Sequence, residues 1–239
     1  PSKKPFVYRV HDVPDPDKIG GFSAFVKQFG HQMIMKSPKD IANSMNRVLA
    51  DVSGKREENM VELLAIRTMS KAKYTTENIG HYGLGFHYYT HFTSPIRRWP
   101  DVMVHRLLQH YLDGEKVKNK EAIEAQCKHS SEMEKLSTDA ERSSVKYMQV
   151  KYLAGKEGQE FNALISGVTE FGMFVELEDS LCEGLVSIRD IKDDHYVLNK
   201  ESYSLIGRKT GNKFQLGDPL RVRVRNVDLV KKQLDFELV

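Results

Sequence analysis

Two adjacent arginines set between two prolines are the residues of this chain best suited to chemistry. They stand in the run Thr93-Ser94-Pro95-Ile96-Arg97-Arg98-Trp99-Pro100-Asp101. A guanidinium fork matches phosphate oxygens two at a time, and proline in a first helical turn leaves bare N–H groups in front of the helix. Ser94-Pro95 or Trp99-Pro100 can each open such a helix, so the spacing predicts a phosphate grip with Arg97 and Arg98 as its cations. The other chemical candidates are poorer. His81, His87 and His91 invite zinc, but Gly80, Gly83 and Gly85 argue against the helix that would put His87 and His91 on one face, and no carboxylate lies near in sequence. His11-Asp12 supplies two ligands without a third, and Gly83-Leu84-Gly85 lacks the third glycine of a dinucleotide loop. Cys127 and Cys182 have no CxxC partner, which excludes a cysteine zinc site and a disulfide framework as expectations.

The elements that must position the arginines follow from periodicity. Residues 1–16 read as extended and proline-punctuated. Apolar residues at helical spacing predict helices over 17–29, ended by Gly30, over 38–52, opened by Ser37-Pro38, and over 57–71. Residues 73–92 read as a strand or extended loop that delivers the arginines. A helix over 100–113 carries Asp101 in its first turn and turns Val104, Leu107, Leu108 and Tyr111 inward. Residues 118–153 contain neither proline nor glycine and read as two helices or one bent one. The texture changes at Ala154-Gly155-Lys156-Glu157-Gly158, where a domain boundary is expected. Beyond it lie strands at 160–168, 172–177, 185–188, 196–198, 220–227 and 233–238, the short strands of a small closed barrel.

Composition bounds the partners. The 239 residues are 40% hydrophobic and 29% charged, an ordinary globular balance with room for one large or two modest cores. No apolar run approaches the ~20 residues of a membrane span, and the start lacks a signal-peptide core, so a cytoplasmic protein is expected. From Glu157 onward there are 11 Lys and Arg against 15 Asp and Glu, a net of −4; residues 1–156 hold 25 against 18, a net of +7. The basic excess lies with the arginine pair, where phosphate would be handled.

The run HFTSPIRRWPDVMVHR over residues 91–106 resembles the HFTSPIRRYPDLVVHR of the RNase II and RNase R family of exoribonucleases. Phe6-Val7-Tyr8-Arg9-Val10-His11-Asp12, Glu77-Asn78-Ile79-Gly80-His81 and Asp139-Ala140-Glu141-Arg142 are similar to further strings of that family, nearer its RNase R side. The resemblance implies an α+β fold: a mainly helical C-terminal portion of an RNase II-type catalytic domain over 1–154, then a five-stranded OB-fold β-barrel over 155–239. It also implies processive 3′→5′ hydrolysis of single-stranded RNA to nucleoside 5′-monophosphates. Arg97 would then bind the scissile phosphate as a catalytic residue, Glu141 would approach the active centre, and Arg98 would be a secondary RNA contact. The family's magnesium-binding aspartate motif lies earlier in its catalytic domain, so no metal ligand is expected here. The chain reads as part of a longer enzyme, binding RNA without cleaving it, with no membrane or small-molecule cofactor implied.

Gly167-Val168-Thr169-Glu170-Phe171-Gly172-Met173-Phe174-Val175-Glu176-Leu177 with Glu183-Gly184-Leu185-Val186 is similar to the ribosomal S-one type of OB-fold RNA-binding domain. In such a barrel Phe171 and Phe174 are candidate stacking plates for bases, though strand alternation puts both on one side only if Gly172 introduces a bulge. By the same resemblance His195, Arg223 and Lys232 would edge that surface, while Ser187 stands where these domains often carry histidine. A second class of reading is a non-catalytic RNA-binding or adaptor protein in which a degenerate nuclease region supports the barrel.

Overall fold

Val222 and Val224 alternate with Arg221, Arg223 and Arg225, the pattern of a sheet with one dry face. A computed structural model of the protein describes residues 4–55, 57–116, 119–199 and 202–239. The helical part comprises β1 (Tyr8–Val10), α1 (Pro16–Lys27), α2 (Pro38–Val52), α3 (Glu58–Thr68), β2 (Lys73–Thr75), a single 3-10 turn at Tyr82–Leu84, α4 (Trp99–Leu112) and α5 (Lys120–Leu153). The β part comprises β3 (Glu160–Thr169), β4 (Gly172–Leu177), β5 (Glu183–Ser187), β6 (Tyr196–Asn199), β7 (Ser204–Gly207), β8 (Lys213–Gln215), β9 (Pro219–Asp228) and β10 (Gln233–Leu238). Contacts divide the chain into one unit of Pro1–Lys18 with Thr68–Ala140 and another of Ile19–Arg67 with Glu141–Val239.

In the first unit β1 pairs antiparallel with β2, and Val7 and Tyr74 pack with Met103, Val104 and Leu107 of α4 and with Ile123 and Cys127 of α5. Burial, then the nearby Glu124 carboxylate, pushes the Cys127 thiol up to about 12, so it packs as an apolar group rather than serving as a nucleophile. Leu108, expected inward, is exposed, because the α4 stripe that meets this core is 103, 104, 107 and 111. Of the region expected as two helices or a bent one, Lys118 lies outside the described residues, and Lys120–Leu153 is one helix of 34 residues.

In the second unit the five strands close in the order β10-β5-β4-β3-β9, the expected barrel. Met173, Val175 and Leu177 alternate inward from β4 and meet Val186, Val222, Val224, Leu234 and Phe236, with Val150 and Leu153 from the end of α5. Full burial of each such side chain stabilises by about 1.5–3 kcal/mol. Gly184 is required here: a Cβ on it would stand 2.4 Å from the Phe236 ring and 2.6 Å from the Leu234 carbonyl. Sequence reasoning missed β7 and β8, which with β6 form a separate three-stranded sheet. Strands of four and three residues are too short to display a period. In the same unit Ser37 caps α2 as read, its Oγ accepting from the Asp40 N–H at 3.2 Å.

Candidate nucleic-acid interface

Of the two proline signals, Trp99-Pro100 opens α4, whereas Ser94-Pro95 opens a turn in which the Ser94 carbonyl accepts from the N–H groups of Arg97 at 3.3 Å and Arg98 at 3.1 Å. The turn splits the arginine pair. Arg98 Nη2 donates to Asp101 Oδ2 at 3.0 Å, and the Ser94 N–H donates to the same oxygen at 2.7 Å. Asp101 is fully buried in the first turn of α4, so its charge must be answered internally, and Arg98 answers it. Arg97, one residue earlier, is exposed, and its guanidinium makes no hydrogen bond or ion pair among the described residues.

Both arginines line a cleft of about 650 Å³ with Tyr74, Trp99, His129 and Glu134. Its wall is tied together by residues far apart in the chain. Arg9 donates to both oxygens of Glu134, at 2.5 and 3.0 Å, and lies 4.6 Å over the Tyr74 ring. The Tyr74 hydroxyl meets His91 Nδ1 at 2.8 Å. Burial, then the Arg98 and Arg9 charges, lowers the pKa of His91. Of the histidines weighed as zinc ligands, His81 Nδ1 accepts from the Leu84 N–H and His91 meets Tyr74, while His87 is exposed. His11 Nδ1 accepts from the Gly83 N–H, and Asp12 holds the N–H of Val13. Among the described residues no group of three or more His, Cys, Asp or Glu side chains could hold a metal ion. Glu141 lies in the second unit, on the exposed side of α5.

On the barrel, Phe171 is 76% and Phe174 37% exposed, so neither ring belongs to the core. Phe171 sits in the turn before β4, and Gly172 makes that turn possible. Its φ is +148°, and a Cβ would fall 2.1 Å from the Val186 carbonyl, a position only glycine can take. The register also shifts between Ile165 and Gly167 of β3, opposite Phe174. The other barrel candidates have partners of their own. Arg223 is on β9, which does not neighbour β4, and its guanidinium donates to Glu160 at 2.8 Å and Glu237 at 3.2 Å. Those hydrogen bonds raise its pKa and lower that of Glu160. Lys232 Nζ donates to Ser143 of α5. His195 is exposed beside β6, where the N–H and hydroxyl of Thr210, with the N–H groups of His195 and Lys209, hold the Asp194 carboxylate well below its usual range. Ser187 Oγ accepts from the Arg189 N–H, 3.3 Å away. No described hydrogen bond or ring contact joins these side chains to the two phenylalanines.

Comparison with known proteins gives the pieces a common origin. The RNB domain family matches residues 2–114 and the S1 RNA binding domain family residues 155–238. Ribonuclease R of Aquifex aeolicus is 40% identical over 239 residues, covering 98% of this chain and 34% of the relative. Among solved structures, the apo form of Mycoplasma genitalium RNase R superposes with a TM-score of 0.87 at 28% identity, over 99% of this chain and 38% of that one. The same enzyme in complex with ribose methylated single-stranded RNA gives 0.86, again at 28% identity over 99% and 38% of the two chains. The chain thus spans about a third of the length of the ribonuclease R relatives it matches. No helix among the described residues is long and apolar enough to cross a membrane. The chain is thus a segment of RNase R type, an RNB portion followed by an S1 domain.

Proposed function

We propose that the chain serves a processive 3′→5′ exoribonuclease, binding single-stranded RNA on its barrel and meeting the RNA backbone with Arg97, without cleaving RNA on its own. The observation that carries the reading is the division of labour between the arginines. Arg98 neutralises the buried Asp101 and pins the turn, and the pinned turn leaves Arg97 exposed with its fork unoccupied. A cation held in advance, with no partner to give up, costs little reorganisation when a phosphate arrives and can stabilise the charge that grows on its oxygens during hydrolysis. Phe171 and Phe174 offer bases two apolar faces, each stack worth about 1–3 kcal/mol and indifferent to sequence. The relative solved with single-stranded RNA supports the choice of ligand. Functionally we divide the chain into 1–154 and 155–239, with Glu141 on the catalytic side. Magnesium enters this reading as an ion that the family's aspartate motif would hold; among the described residues no group of three or more His, Cys, Asp or Glu side chains could hold it.

The test is a binding and cleavage assay of the chain with a labelled single-stranded RNA and magnesium. Binding without release of mononucleotides is expected, and Phe171→Ala or Phe174→Ala weakens that binding by about 1–3 kcal/mol each. Absence of binding refutes the reading. In a protein that also carries the remainder of the catalytic domain, Arg97→Lys lowers nucleotide release much more than RNA affinity, since only contacts that strengthen in the transition state raise the chemical rate. If that longer protein binds RNA and releases nothing even with Arg97 intact, the adaptor reading replaces this one.

A further inference from the structure

The barrel carries a second concavity that none of the foregoing uses, a pocket of about 450 Å³ lined by Leu185, Ser187, Asp190, Arg225, Asn226 and Asp235. Strand register ties it to the exposed phenylalanine. Phe174 pairs with Leu185, Leu185 with Asp235, and Asp235 with Asn226, so the four residues form one row across β4, β5, β10 and β9. Residues directly paired across strands share a face, and neighbouring strands lie about 4.8 Å apart. Asp235 therefore stands about 10 Å from Phe174 along the sheet, with Leu185 as the apolar floor between them.

A bulge builds the far wall. Between Asp235 and Phe236 the register of β10 shifts from Asn226 to Val224, leaving Arg225 as the extra residue of β9. Arg225 and Asn226 are consequently both exposed although they are consecutive, which regular alternation forbids. Arg225 ion-pairs with Asp190, which neutralises that carboxylate, and Asn226 Nδ2 donates to Asp235 Oδ2 at 3.1 Å. Asp235 makes no ion pair among the described residues and feels the Arg225 charge only as a neighbour, so the lining holds two carboxylates to one guanidinium and favours N–H donors over phosphate.

We propose that this pocket reads the Watson–Crick edge of a guanine stacked on Phe174. Along the wall the Asn226 amide offers a donor and the Asp235 carboxylate two acceptors. Guanine presents the complement, an acceptor at O6 and donors at N1 and N2. Adenine and cytosine place their amino group where the amide would meet it donor to donor, and uracil sets a second carbonyl against the carboxylate. The inference rests on the reading of the barrel as an RNA-binding surface and adds a base preference to it.

The experiment measures fluorescence anisotropy of the 239-residue chain with labelled oligouridine octamers carrying G, A, C or U at one central position. The guanine octamer is expected to bind about tenfold tighter than the other three, as a bidentate base contact does. Inosine, which lacks the N2 amino group, gives up most of that gain with no change to the protein, and Asp235→Asn, which turns an acceptor into a donor, brings the four RNAs to equal affinity. The inference fails, and the RNA-binding reading survives, if all four octamers bind within about twofold of one another or if inosine binds as tightly as guanine. If none binds, both fail.

Discussion

The arginine pair of the helical unit and the phenylalanine pair of the barrel are both adjacent or nearly adjacent in sequence, and the fold treats them in opposite ways. It separates the arginines by role: Arg98 is drawn onto a carboxylate with no exposed surface, and Arg97 is left outside. It keeps the phenylalanines alike: Phe171 and Phe174 are both exposed, because Gly172 lets the chain turn where a side chain would strike the Val186 carbonyl. Charge has to be answered wherever it is buried, so one cation is consumed in holding the other. Aromatic rings need no counter-ion, so both stay available once the backbone has placed them. An electrostatic site thus needs a buried network behind it, whereas a stacking site needs only a backbone that will bend.

The comparison is broken most severely through Arg98. Arg98→Ala leaves the buried Asp101 carboxylate without its cation and should destabilise the helical unit by about 3–5 kcal/mol, whereas Arg97→Ala should change stability by no more than about 0.5 kcal/mol. Denaturant unfolding of the two variants checks this, and equal effects would remove the distinction between anchor and free cation. On the barrel, Gly172→Ala should cost about 3 kcal/mol or more, while the ring truncation Phe171→Ala should cost little stability and act on RNA affinity. Thermal unfolding followed by tyrosine fluorescence separates the two.

The smallest effect is that of pH on two histidines of the helical unit. Burial lowers the pKa of His81, with the His11 and Arg9 charges adding to it, and lowers that of His91 as well. The folded values therefore lie below the ordinary imidazole value of 6.5, and the unfolded chain takes up protons first as pH falls. The stability these rings contribute is complete above that value and is lost progressively as pH drops toward the folded values. Hydrogen exchange at the turn of Tyr82–Leu84 should quicken over that interval, and His81→Gln, which cannot be protonated, should flatten the dependence. The barrel strands should not respond.

Much of this was legible before any coordinates. Ser37-Pro38, the α1 stripe of Ile19, Phe22, Phe25 and Val26, and the alternating valines of β9 are local signals, and each element formed where they pointed. The cleft behind Arg97 was not legible. Arg9 and Glu134 meet across 125 residues, and Tyr74 and His91 meet through a hydroxyl and an imidazole that have no characteristic spacing. The bulge at Arg225 left a signal that a period-two reading passes over, since after Val222 and Val224 the next apolar residue is Val227, three positions on, where the register with the partner strand slips by one.

Periodicity, proline and glycine thus settled which segments are helix or strand, and the motif over residues 91–106 named the kind of chemistry. Only the folded chain decided which arginine is available, which aromatic rings are wet, and that two consecutive residues of one strand face the same way. Those questions turn on burial, and burial is a property of everything packed around a residue rather than of the residue and its neighbours in sequence.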